Sequence, residues 1–419
     1  MKTKLLGTAL ALGLAAAPIA AVAGGVSGGN ASSNWVIYGW QNWSYEFLDF
    51  DDGTNNRNSS RINNNAANIG FAASLPTGMS LGGQDVNVNF QCEQFTFHNR
   101  FNGFSDFCNR NSKISLSGAF GEIMFGQWLL PHNEMVAQWV DPFYDAGADS
   151  HTSIMGNVGG AQGFFYNGSF GASQAFNRRQ EEIVQYWSPN LNGLSFRVAT
   201  TNAASGSLGG GGDDGPTADL DPRIWSMGVA YENTLASGNN IWLAATYELH
   251  DEWAAVQIGC DDSDDESYRI AGRYIHQWGG GMSTQVSAMW EYLEYDIEGC
   301  GAAIPLTGVY DGTGSLDVDR DAWMISGKQT FGNGFDVRVS YMDADELDCS
   351  TGCSTDDDTD ASAFNIGAYY TMPAGTELRV TYSEVDNEDN SDYDFGIGGV
   401  GTATGEDLEM FAIGIVQWF

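Results

Sequence analysis

From residue 24 onward, hydrophobic positions recur every second residue in runs of roughly ten, each with a small or polar partner face. Phe335, Val337, Val339 and Tyr341 fall on one face of such a run, and Asp336, Arg338 and Ser340 on the other. The same alternation is read in Leu194, Phe196 and Val198, in Ile241, Leu243, Ala245 and Tyr247, and in Val286, Ala288, Trp290 and Tyr292. It returns in Phe364, Ile366, Ala368 and Tyr370, in Leu378, Val380 and Tyr382, and in Phe411, Ile413 and Ile415. A period of two is that of a strand showing different solvents on its two faces. No stretch beyond residue 24 approaches the roughly 18 apolar residues of a membrane helix, so helical membrane proteins are excluded. A sandwich shares this alternation, and the pattern alone does not separate it from a barrel.

The connections separate them. Tight ones are read at 76–79, 121–122, 189–193, 234–239, 279–281, 332–334 and 373–376. Between them lie longer, acidic ones at 51–60, 98–111, 129–182, 202–222, 251–266, 296–320, 343–360 and 386–407. Strict alternation of short and long connections is what an up-and-down transmembrane barrel requires, with short periplasmic turns and long outer loops. Seven short and eight long connections join sixteen strands, and the even count brings both ends to one side. The expectation is an all-β protein: a 16-stranded antiparallel transmembrane β-barrel occupying 24–419.

A barrel makes a further demand, because a cation on the lipid face near mid-membrane costs about 2–4 kcal/mol. Lys113, Arg197, Arg269, Arg273, Lys328, Arg338 and Arg379 all have the parity opposite to the aliphatic set of their strand and are assigned to the pore wall. Arg61 and Arg223 fit less cleanly, at expected outer rims where bulges relax the rule.

Composition then narrows the class. Met1-Lys2-Thr3-Lys4, the apolar run 5–23 and the small-residue site Ala21-Val22-Ala23 read as a signal peptide over 1–23. Lys+Arg total 17 against Asp+Glu 54, and a net charge of −37 excludes nucleic acid as a partner. The aromatic content of 13% argues against disorder and suits the girdles of a barrel. Six cysteines in an exported chain point to disulfides, and pairing neighbours gives Cys92 with Cys108, Cys260 with Cys300, and Cys349 with Cys353. Zinc spacing is absent, and no cofactor or metal is expected.

Arg178-Arg179-Gln180-Glu181-Glu182-Ile183-Val184-Gln185-Tyr186-Trp187-Ser188-Pro189-Asn190-Leu191-Asn192-Gly193 resembles the Arg, then Asn-Ser-Val-x-Tyr-x-Ser-Pro-x-Phe-x-Gly pattern of the general Gram-negative porins, their neisserial-like branch in particular. Glu182-Ile183 stand for Asn-Ser, and Leu191 for Phe. Trp35-Val36-Ile37-Tyr38-Gly39 is similar to the family's opening Val-Thr-Leu-Tyr-Gly, and Gly414-Ile415-Val416-Gln417-Trp418-Phe419 to its closing Gly-Leu-Arg-His-x-Phe. The resemblance implies an outer-membrane homotrimer among lipid and lipopolysaccharide, passing small hydrophilic solutes by passive diffusion. It also implies recognition of Phe419 by the assembly machinery. The family's arginine places hold Asn68 and Gln127 here, which puts its strong basic constriction in doubt.

The third long connection, 129–182, is the one that folds into the barrel in this family, and its length suits a functional loop. Glu134, Asp141, Asp145 and Asp149 lie at near-helical spacing around Trp139, Pro142, Phe143 and Tyr144. The expectation is carboxylates presented to the lumen, aromatics gripping the wall, and a preference for cations. Two rivals are an outer-membrane barrel enzyme and an acidic, Ca-binding surface structural protein. None of His98, His132, His151, His250 and His276 sits in a nucleophile motif, and no G-x-S-x-G occurs. His132 and His151 read either as pore-lining pH sensors or as solvated loop residues. The acidic runs 261–266 and 356–360 lack the ligand spacing and turn glycine of an EF-hand, and the glycine-rich run 209–214 lacks the Lys-Ser/Thr ending of a phosphate cradle.

Overall fold

The computed structural model describes residues 26–419 except 31–32, 52, 54–55, 97–106, 145–146, 148, 159–174, 178, 202–221, 254–259, 300–313, 354 and 397–398. The signal peptide, His98, Asp145, Cys300 and the glycine-rich run 209–214 therefore lie outside the described residues.

Nineteen hydrogen-bonded segments make one closed antiparallel barrel of sixteen strands. β1 is Ser33–Asp51, β2 is Asn56–Asn64 continued by Asn68–Leu81, β3 is Gln84–Phe95, β4 is Ser112–Gly118 and β5 is Gly121–Leu129. Then come β6 Arg179–Trp187, β7 Leu194–Thr201, β8 Arg223–Thr234, β9 Asn240–Asp251, β10 Asp262–Gly279 and β11 Met282–Glu298. The barrel ends with β12 Leu316–Thr330, β13 Phe335–Ala344 with its extension Asp348–Thr351, β14 Ala361–Thr371, β15 Thr376–Asn387 and β16 Asp407–Trp418. The short segment Val26–Asn30 folds back on the start of β1. Closure is by β16 on β1, from Asp407 opposite Asp51 to Trp418 opposite Trp40, and Phe419 exchanges backbone hydrogen bonds of 3.0 and 3.1 Å with Gly39.

The alternation holds along the wall. Val339, Tyr341, Ile366, Leu378, Val380, Phe411, Ile413 and Ile415 face outward and are exposed, as a lipid-facing set must be. Above them, tyrosines mark the edge of the apolar band. Tyr268, Tyr292, Tyr341 and Tyr382 donate to Glu266, Glu294, Asp343 and Glu384 respectively, at 2.9 to 3.1 Å, each two residues away on its own strand.

Several boundaries differ from the sequence reading. The first turn is not at 76–79. β2 absorbs Pro76 in a bulge, where Thr77 Oγ1 donates to Val86 O, and turns at Gly82 and Gly83, both with positive φ as a tight hairpin requires. The first outer connection shrinks to 52–55, because Asn56–Asn64 pairs fully with Trp43–Asp51. Residues 262–266, 296–298 and 316–320 are strand rather than loop, since above the bilayer a strand needs its ladder but no apolar outer face.

The inner wall is less polar than a water-filled lumen alone would need. Met289, Met324, Met342 and Met410, with Ala244, Ala271, Ala322, Ala344, Ala361 and Ala363, face inward and are buried. They form the seat for chain that enters the barrel.

Candidate functional site

β5 ends at Leu129, and Pro131, at the first position of the one-turn helix Pro131–Glu134, directs the third outer loop into the lumen. His132 N donates to Ser226 Oγ on β8 at 3.0 Å. A second turn, Ala137–Val140, stacks Trp139 on Trp242 of β9 at 5.7 Å, and Val140 O accepts from Ser326 Oγ on β12. Pro142 O accepts from Arg338 on β13, and Phe143 meets the edge of Tyr369 on β14 at 6.3 Å. Gly147, φ 91°, lies so close to Asn65 that a Cβ would stand 2.2 Å from its amide oxygen. The loop then returns to β11, where Gly156 N donates to Glu291 at 2.7 Å, while Phe176 stacks on His250 at 4.5 Å. Met135, Val136, Val140, Phe143, Ile154, Met155 and Phe176 are buried along this path, each side chain contributing about 1.5–3 kcal/mol.

Glu134, Asp141 and Asp149 are buried against protein rather than presented to the lumen. Glu134 is fully buried, accepts from Trp128 Nε1 at 2.8 Å and pairs with Arg197. Asp141 accepts from Phe143 N at 2.8 Å and His151 N at 2.9 Å, with His151 Nδ1 at 3.0 Å. Asp149 accepts from Ser383 Oγ on β15 at 2.7 Å. Glu134 and Asp149 are rivets between loop and wall, because a carboxylate pressed against a strand face must find donors there, while Asp141 ties the loop to itself. Asp145 lies outside the described residues.

All seven cations sit at inward positions, but most are spoken for. Lys113 pairs with Glu122 at 2.6 Å and lies over the Trp187 ring at 4.0 Å, and Arg197 lies over the same ring at 4.4 Å. Arg269 is fully buried on Glu291 at 2.5 Å and so lines no water path, contrary to its assignment as pore wall. Arg273 donates to Asn240 at 3.1 Å beneath Trp139. Lys328 stands 3.6 Å from Asp336, which also holds Arg338 at 2.7 Å, and Glu377 takes Arg338 from the other side at 3.1 Å. Arg379 is buried against Gly414, whose missing side chain leaves it room. Asn68 is buried opposite Trp40 on β1, and Gln127 stands at the end of β5.

Cys92 bonds Cys108 and Cys349 bonds Cys353, with Cα separations of 4.9 and 6.3 Å. Cys260 is disulfide-bonded, and Cys300 lies outside the described residues. The sequence reading missed Glu291 and Arg320, both inward and fully buried, and Tyr393 and Phe395 in the eighth outer connection. Parity alone would have found Glu291, which alternates with the lipid-facing Trp290 and Tyr292.

A closed sixteen-strand barrel with one outer loop riveted round its inner wall is the architecture of an outer-membrane channel. The sequence profile of the Gram-negative porins matches residues 8–390, and the chain belongs to that family. The match does not resolve a branch within it. Among solved structures, the fold is similar to the anion-selective porin from Comamonas acidovorans, at 16% identity and a TM-score of 0.64 over 92% of this chain and 100% of that one. It is also similar to the trimer form of Vibrio cholerae OmpT, at 13% identity and 0.55 over 93% and 100%, and to Salmonella typhi OmpF in complex with daunomycin, at 15% and 0.56 over 94% and 100%. No curated protein sequence matches the chain. The protein is an outer-membrane channel of the bacterial cell.

Proposed function

We propose that this channel passes small hydrophilic solutes and ions by passive diffusion, with a preference for cations. The observation that carries the diffusion reading is the third loop itself, tied to the wall by Glu134 on Arg197, Val140 O on Ser326, Pro142 O on Arg338 and Asp149 on Ser383, so that the passage is narrowed by an insert with no covalent chemistry. The cation preference is supported by the net charge of −37 and by exposed acids at the outer rim such as Asp356, Asp357 and Asp358. Removal of 1–23, assembly as a homotrimer, contact with lipid and lipopolysaccharide, and recognition of Phe419 by the assembly machinery belong to the same reading. Liposome swelling with sugars of graded size tests the diffusion reading, and uptake that does not fall with solute size would overturn it.

Anion preference is a second reading. It is favoured by Arg61 and Lys328, whose side chains keep 24% and 23% exposure toward the interior. The Comamonas acidovorans porin described as anion-selective shares the fold. The sign of the reversal potential across a planar bilayer decides between the two.

A further inference from the structure

We infer that the eighth outer loop, between β15 and β16, is a second narrowing element of the pore, and that Arg320 is the positioning residue that sets it against the third loop. The inference rests on the channel reading and adds a second loop to it.

The loop's sequence looks like solvated acidic chain, yet Tyr393 and Phe395 alternate with Asp392 and Asp394 and are each only 1% exposed. They lie beneath the rim in one apolar cluster with Leu48 and Phe50 of the wall and Ile154 and Met155 of the third loop. The tip is preformed: Asp394 accepts from Val400 N at 2.8 Å and Gly401 N at 2.9 Å, and Tyr393 N donates to Asn387 Oδ1 at 2.8 Å. Gly396 touches the third loop so closely that a Cβ would stand 2.2 Å from Thr152 Oγ1.

One guanidinium joins the pieces. Arg320, fully buried on β12, donates through Nη1 to Tyr393 OH at 3.2 Å, and through Nη2 to Ile154 O and Glu291 Oε1, both at 3.2 Å. Glu291 also holds Arg269, so two buried cations share a single carboxylate in this triad. The surplus charge needs neutral acceptors, and the two loops supply them: Ile154 O and Tyr393 OH to Arg320, and Asn177 Oδ1 to Arg269 at 2.7 Å. Undocking either loop strips acceptors from a charge that water reaches poorly, so the wall holds both loops as one insert.

Two measurements test this, one of them independent of conduction. In planar bilayers, Phe395→Ala and Arg320→Met should raise single-channel conductance by roughly half or more and add open-channel flicker, while Arg320→Lys should recover part of the wild-type trace. Tyr393→Phe keeps the ring and should add flicker alone. By hydrogen exchange, Arg320→Met should deprotect residues 152–156 and 391–396 together. Wild-type conductance and noise in folded Phe395→Ala and Tyr393→Phe barrels would overturn the inference, as would deprotection of one loop without the other. If Arg320→Met does not fold, the Tyr393 and Phe395 variants carry both tests. A wild-type protein that makes no channel would sink the channel reading instead, and the exchange experiment would still decide on the coupled loops.

Discussion

Glu134 is a loop residue whose carboxylate is worth more to the wall than to the lumen. It is fully buried and holds Arg197 and Trp128, so Glu134→Ala removes one partner of a close ion pair and strands the other. The expected cost to loop docking is about 3 kcal/mol, read as faster proteolysis of the loop, and Glu134→Leu with Arg197→Met should restore much of it. His132 is the second residue to test. Burial, then the charges of Arg269 and His250, hold its imidazole well below the ordinary value, and Thr246 Oγ1 stands 3.2 Å from Nδ1. A histidine depressed in the docked state contributes docking that is intact above its free pKa of about 6.5 and lost as pH falls below it, because the released loop takes up a proton that the docked loop refuses. Flicker should therefore rise below about pH 6 and rise less in His132→Gln. The seven cations were legible in the sequence because mid-membrane charge must face inward, and strand parity says which way inward is. Their partners were not legible. Glu134, Pro142 and Asn177 come from a loop with no period to read, and only the fold brings them to Arg197, Arg338 and Arg269.

Elements were readable wherever one face met lipid. β16, with Phe411, Ile413 and Ile415 outward and Met410 and Ala412 inward, has the contrast of two solvents along its length. The first half of Asn56–Asn64 has none, since it rises above the bilayer with water outside it, and its Asn, Arg and Ser residues through Ser60 read as a loop although the ladder with β1 is complete. Pro76 misled for a different reason: a proline that breaks a ladder marks either a turn or a bulge, and the paired glycines six residues on make it a bulge. The closing seam offers the element-scale test. A Cβ on Gly39 would stand 2.3 Å from Asn68 O and 3.0 Å from the Phe419 ring, so Gly39→Ala must push β1 off β2 or displace the last residue of the chain. A loss of about 1–3 kcal/mol is expected, seen as a lower temperature at which the folded band disappears on denaturing gels. An unchanged transition would mean that the seam gives way without cost.

At the scale of the whole molecule, the acids divide by where they stand relative to the path of an ion. Those on the outward face above the tyrosines, such as Glu266, Glu294 and Asp319 on adjacent strands, oppose one another directly but look away from the lumen. Of the third loop's acids, Glu134, Asp141 and Asp149 are consumed by Arg197, His151 and Ser383. Among the described residues the rim can still bias ions, since Asp356, Asp357 and Asp358 are exposed there. Rim charge acts through solution, and its reach is the screening length: about 30 Å at 0.01 M salt, about 8 Å at physiological strength and about 3 Å at 1 M. A cation preference set at the rim should therefore be strong in dilute salt and fade toward none at molar salt, whereas one set by groups touching the ion would persist. Replacing Asp356, Asp357 and Asp358 with Asn should lower the cation-to-anion permeability ratio at about 0.01 M and leave it unaltered at about 1 M. Asp141→Asn should leave the ratio alone at both, because that carboxylate faces His151 rather than water. A ratio independent of salt would return selectivity to groups that touch the ion inside the barrel, such as Lys328, which keeps some exposure, and a reversal potential of anion sign would end the rim account altogether.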